Sequence, residues 1–120
     1  MFKTQEDMTR GIAAAFAILD RWRLSQAEIN GVLGFPFGTQ IAEWRRGELS
    51  SMPSDVVRRF GYVVAIYRVI QKLPTGIDWL RQPIPDLDNQ SPLVRMASGD
   101  VEDLRIVRDR FERILKRQQA

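Results

Sequence analysis

Between residues 56 and 70 the apolar side chains Val56, Val57, Phe60, Val63, Val64, Ile66, Tyr67 and Ile70 fall on nearly every side of a helical cylinder. A helix that is apolar most of the way round cannot lie at a surface and needs other elements around it. The spacing predicts a central helix over residues 55–72, capped by Ser54 or Asp55, with Arg58, Arg59 and Arg68 marking where it meets water.

The flanking segments carry the same period. Met8, Ile12, Ala15, Phe16 and Leu19 predict a first helix over residues 5–22, with Thr4, Glu6 and Asp7 as its start signal. In Leu24-Ser25-Gln26-Ala27-Glu28, Ser25 and Glu28 have capping-box spacing for a second helix that runs to Leu33. Gly34 can take the left-handed conformation that ends it, and Pro36 predicts an extended Phe35. Gly38 and Thr39 open a third helix that turns Ile41 and Trp44 inward, leaves Thr39, Gln40, Glu43 and Arg46 outside, and stops at Gly47. After the break at Leu73-Pro74-Thr75-Gly76, short helical turns are expected at residues 77–81 and after Ser91-Pro92. Gly99-Asp100 caps a last helix over residues 101–118. Its stripe is Leu104, Val107, Phe111 and Ile114. No stretch alternates in the manner of a strand. The expected fold is all-α: a helix-turn-helix bundle over residues 1–72, then a small helical C-terminal domain over residues 73–120.

Composition removes whole chemistries. With no Cys and no His among 120 residues, disulfides, thiolate nucleophiles, imidazole bases and the usual zinc sites are excluded. Asp86-Leu87-Asp88-Asn89 lacks the Gly and distal Glu of a calcium loop and reads as a turn, so no metal or cofactor is expected. An enzyme built on Asp86 or Asp88 with Arg95 is a distant alternative. The apolar run at residues 12–19 is too short to span a bilayer and follows Glu6 and Asp7, so a cytoplasmic protein without a membrane partner is expected.

The net charge is +3, and fifteen of the eighteen cations are Arg. That bias suits bidentate contacts to phosphate or carboxylate. The arrangement with a mechanical meaning is helix two, turn, helix three, which can seat its second helix in a major groove. Gln26, Thr39, Gln40 and Glu43 are the candidate readers of DNA, with Arg45 and Arg46 near phosphates. An ordinary helical hairpin is the alternative. Cations and carboxylates balance over residues 1–50, which weakens the electrostatic case for a duplex. The basic side of the last helix could meet a partner's acidic cleft or nucleic acid; its interspersed carboxylates argue against a membrane.

On these residues the chain resembles the Xre/MbcA/ParS antitoxins of bacterial type II toxin–antitoxin operons. Leu24-Ser25-Gln26, Leu33-Gly34 and Trp44-Arg45-Arg46-Gly47 are similar to the Xre-like helix-turn-helix. Trp79-Leu80, Pro83, Ser91-Pro92-Leu93, Met96 and Gly99 are similar to the toxin-binding domain. The resemblance implies a non-enzymatic homodimer that holds a cognate toxin inactive and binds operator DNA. Partner toxins of the family are typically RES-type proteins that degrade NAD, or related ADP-ribosyl-transferring enzymes. By the same resemblance Trp79, Leu80, Pro92, Leu93 and Met96 build the binding domain's core. Arg105, Arg108, Arg113, Lys116 and Arg117 are candidate exposed contacts to toxin. The chain departs from the family in a turn one residue longer at Phe35-Pro36-Phe37-Gly38, in Asn30 where a small Ala is common, and in Pro83-Ile84-Pro85 where a Pro-Asn pair is usual. A stand-alone helix-turn-helix repressor is the alternative function.

Overall fold

The computed structural model describes residues 4–74 and 76–119; Lys3, Thr75 and Ala120 of the predicted segments lie outside them. Six α-helices follow one another: α1 (Gln5–Arg21), α2 (Gln26–Val32), α3 (Gly38–Arg45), α4 (Ser54–Ile70), α5 (Pro92–Met96) and α6 (Val101–Gln119). Two short 3-10 helices, Gly76–Arg81 and Pro85–Leu87, bridge α4 to α5. The described residues hold no strand, and Ile84 and Gln90 form an isolated bridge that closes the turn through Asp88 and Asn89. The fold is all-α, as the periodicity predicts.

Local chemistry sets most boundaries where expected. The Thr4 hydroxyl accepts from the Asp7 N–H at the start of α1. Ser25 and Glu28 form a reciprocal capping box on α2, and the Ser91 hydroxyl accepts from Val94 N–H at the start of α5. The N-cap of α4 is Pro53, one residue ahead of the predicted Ser54 and two ahead of Asp55, and the helix ends at Ile70, two short of Lys72.

One continuous core runs through the chain. α4 packs against α1 on one side and along α6 on the other. Phe16 meets Phe60 edge-on at 5.1 Å, and Phe111 of α6 meets Trp79 edge-on at 6.1 Å.

At the junction between α2, α4 and α6 the structure overturns two sequence expectations. Arg59 does not meet water; it is 6% exposed. Its guanidinium donates to the Asp55 carboxylate at 2.7 Å, to the Val32 carbonyl at 3.2 Å and to the Gly99 carbonyl at 2.8 Å. Every partner is a group that needs a donor, so the cation is retained inside because its hydrogen bonds replace those of water. It lies beneath Gly34, where a Cβ would meet the guanidinium carbon at 2.8 Å.

Phe35 is not extended: its φ is +57°. Gly34 takes the left-handed conformation as predicted, at φ +83°, and Phe35 adds a second such residue. The Gly34 N–H then donates to the Gly31 carbonyl and the Phe35 N–H to the Asn30 carbonyl at 2.7 Å, which satisfies the last acceptors of α2. An aromatic residue held there costs on the order of 1–3 kcal/mol and persists only where its surroundings enforce it.

Candidate macromolecular interfaces

The helix-turn-helix face is built by α2, the turn through Pro36, and α3. Gln26 and Thr39 are exposed on it. Gln40 is half-buried and its side-chain oxygen accepts from the Phe37 N–H at 3.1 Å, so part of this predicted reader caps its own helix. Glu43 is half-buried as well. Phe37, beside the N-terminus of α3, is 84% exposed.

Both arginines predicted to reach phosphate are held by carboxylates of the same chain. Arg45 grips Asp20 of α1 through two bonds of 3.0 Å and lies over the Phe16 ring at 4.6 Å. Asp20, Gln26 and Arg45 share the rim of one depression between α1, α2 and α3. The Arg45 hydrogen bond holds the Asp20 carboxyl below its ordinary pKa, against a smaller opposing effect of burial. Arg46 makes two 3.2 Å bonds to Glu48 and holds that carboxyl low in the same way. Exposed pairs like these contribute only about 0–1 kcal/mol each. They open at little cost, yet at rest they leave the face of α3 charge-balanced.

The C-terminal face rests on a small core. Leu80, Pro92, Leu93 and Met96 are buried, and Trp79 is half-buried against Phe111. Trp79, Ile84, Ile114 and Arg117 line a groove at the far end of α6, where Arg117 pairs with Asp86 at 2.9 Å. The five cations predicted as exposed contacts divide. Arg113, Lys116 and Arg117 are exposed; Arg105 and Arg108 are half-buried, contrary to expectation. Arg105 is fastened to Glu102 and Asp109, and Arg108 to Asp109 and over the Tyr62 ring at 4.9 Å. The reason is local: Glu102 and Asp109, three and four residues away on α6, capture Arg105, and Arg108 folds over Tyr62 of α4 within reach of the same Asp109. Arg113 and Lys116 make no ion pair among the described residues.

The two faces are tied together. Arg81 donates to Glu28 at 3.0 Å and to the Arg23 carbonyl at 3.0 Å, joining the first 3-10 helix to the start of α2. That bond, with the Ser25 N–H, holds the Glu28 carboxyl low. Sequence reasoning missed this link and Arg59, because side chains 27 to 58 residues from their partners leave no trace in local spacing. The alternative enzyme residues are not assembled: Asp86 is taken by Arg117 and Arg95 by Asp103. Among the described residues there is no metal-holding group of three or more Asp or Glu, and no helix is long and apolar enough to cross a membrane.

Comparison with known proteins bears on the C-terminal half first. Residues 74–116 match the family described as the antitoxin Xre/MbcA/ParS C-terminal toxin-binding domain. A protein of Sinorhizobium fredii, uncharacterized protein y4oB, is 33% identical over 101 residues, which cover 81% of this chain and 78% of that one. No solved structure matches significantly. The matched segment begins just past the end of α4 and takes in the buried Leu80, Pro92, Leu93 and Met96 together with most of α6; the chain belongs to the Xre/MbcA/ParS antitoxin family, whose members are not enzymes.

Proposed function

We propose that this chain is the antitoxin of a type II toxin–antitoxin pair. Residues 73–120 act as the toxin-binding unit and occlude a cognate RES-type, NAD-degrading or ADP-ribosyl-transferring toxin. Residues 1–72 form a helix-turn-helix unit that binds operator DNA as a homodimer in the cytoplasm and autoregulates the operon. The observation that carries this reading is the toxin-binding domain match over residues 74–116, a segment whose buried Leu80, Leu93 and Met96 join the continuous core of the chain.

Neutralisation by this route needs no chemistry from the antitoxin. A standard interface of about 1,600 Å² suffices for tight binding when aromatic and arginine anchors are buried at its centre. Trp79, Leu80, Pro92, Leu93 and Met96 shape the surface; Arg113 and Lys116 at the end of α6 supply unpaired charge to it, and Arg117 joins them by releasing Asp86. On the DNA side, Gln26 and Thr39 are the readers best placed to reach bases, and Arg45 and Arg46 reach phosphate by exchanging Asp20 and Glu48 for it.

The test is expression of the neighbouring reading frame alone and together with this chain. Growth arrest with loss of cellular NAD, relieved by co-expression and accompanied by co-purification, is the expected result. A harmless neighbour that does not co-purify, beside a chain that still retains its operator DNA, would instead establish a stand-alone repressor.

A further inference from the structure

The strained turn of the helix-turn-helix does not stand apart from the toxin-binding domain. Gly31 of α2 sits so close to the Ala97 backbone that a Cβ there would collide with the Ala97 carbonyl. One turn on, the Phe35 ring covers Gly99, where a Cβ would meet ring carbon Cε2 at 2.5 Å. One turn back, Glu28 lines a groove with Val94, Leu93 and Ala97. The row Glu28, Gly31, Phe35 therefore runs beside the row Val94, Ala97, Gly99.

Two large apolar side chains face solvent along this seam. Phe35 is 63% exposed and Val94, on the outer side of α5, is 60% exposed. Burial in the fold accounts for neither. The end of α2 and the Gly99 surface hold Phe35 left-handed, and there its ring stands at the edge of residues 74–116, the segment matched to a toxin-binding domain, which also carries Val94. The bordering cations Arg59, Arg81 and Arg95 are each bonded to a carboxylate, Asp55, Glu28 and Asp103, so the seam offers phosphate little. Its chemistry suits an apolar protein surface.

We propose that the toxin's footprint extends beyond residues 74–116, crossing from α5 onto the helix-turn-helix turn, with Phe35 and Val94 as apolar anchors. This rests on the antitoxin reading above. It adds that the bound toxin touches the DNA-binding half directly and presents an apolar patch there.

Phe35→Gly separates ring from fold, because glycine accepts φ +57° without strain and the ring is mostly in solvent. Affinity for the purified product of the neighbouring reading frame is measured by calorimetry for the full chain and for Phe35→Gly, Phe35→Asn and Val94→Ser. Melting temperature and operator retention are measured in parallel. Each variant is expected to weaken toxin binding by roughly tenfold or more. Melting should stay within about 5 °C of the parent, with operator retention unchanged. Parental toxin affinity in Phe35→Gly would overturn the extended footprint and leave the antitoxin reading intact. Loss of operator retention with toxin affinity kept would assign the ring to DNA and also overturn it. A parent chain that fails to bind the neighbour's product would overturn both. If both Phe35 variants unfold, Val94→Ser decides: unchanged affinity rules the seam out.

Discussion

Helix α3 and the last turns of α6 both carry clustered cations, and carboxylates of the same fold occupy them to different degrees. On α3, Arg45 is forked onto Asp20 and its neighbour Arg46 onto Glu48. At the end of α6, Arg117 is paired with Asp86, but Arg113 and Lys116 are exposed and make no ion pair among the described residues. A count of cations would rank the two surfaces as similar; the pairing does not. Positive charge is available to a partner only where no carboxylate of the same fold has reached it first. By that measure α6 is the readier of the two faces.

The comparison is meaningful only if both faces belong to one cooperative body. Phe111→Ala strikes the packing of α6 on Trp79, and truncating a fully buried phenylalanine costs about 3–5 kcal/mol. Urea denaturation should show that loss in a single transition; two separated transitions would break the chain into independent units. Arg59→Met tests the same unity at the junction. It removes donors from the Val32 and Gly99 carbonyls while Asp55 returns to water, so a loss of about 2–4 kcal/mol is expected. A variant as stable as the parent would mean that the guanidinium does not hold α2 to the start of α6.

Smaller effects sharpen the contrast between the faces. Reversing Arg113 and Lys116 to Glu should weaken toxin neutralisation by roughly tenfold, in line with charged anchors at an interface, and leave operator retention alone. Asp20→Asn should do the converse. By freeing Arg45 it is expected to raise operator affinity by roughly two- to fivefold and steepen the salt dependence by about one phosphate contact. A gel-retention titration across salt concentrations checks it, and no change would place α3 away from the duplex.

The smallest effect is in pH. Because Arg45 lowers the Asp20 carboxyl pKa in the fold, the pair's stabilisation is fully present above the ordinary carboxylate range. It is lost as pH falls through the lowered folded value. The stability gap between parent and Asp20→Asn, below about 1 kcal/mol for an exposed pair, should therefore be seen at pH 7 and shrink in acid. A gap that widens on acidification would reverse the assigned sign.

Helical period, capping residues and breakers made the secondary structure legible: α2 starts at the Ser25–Glu28 box, and Pro92 opens α5 behind its Ser91 cap. The C-terminal core was anticipated through the family resemblance, which names Leu80, Leu93 and Met96, and the fold buries all three. Arg59 was not. It occupies a position on α4 that ordinary amphipathicity assigns to solvent, and its inward turn depends on carbonyls at Val32 and Gly99 that meet only in the folded chain. Phe35 misled for a related reason. The residue before a proline is normally extended, but here the unsatisfied end of α2 and the bare Gly99 surface prevail over that preference. The pairing of Arg45 with Asp20 joins α3 to α1 across 25 residues, and so the sequence showed the cation but not its occupancy.

The central claim is that this chain works by covering a toxin with the surface built on residues 74–116. Hydrogen–deuterium exchange of the chain, free and bound to the product of the neighbouring reading frame, tests it most directly. Protection is expected across α5 and α6. Protection confined to α2 and α3, or none in a complex that nonetheless forms, would contradict the account.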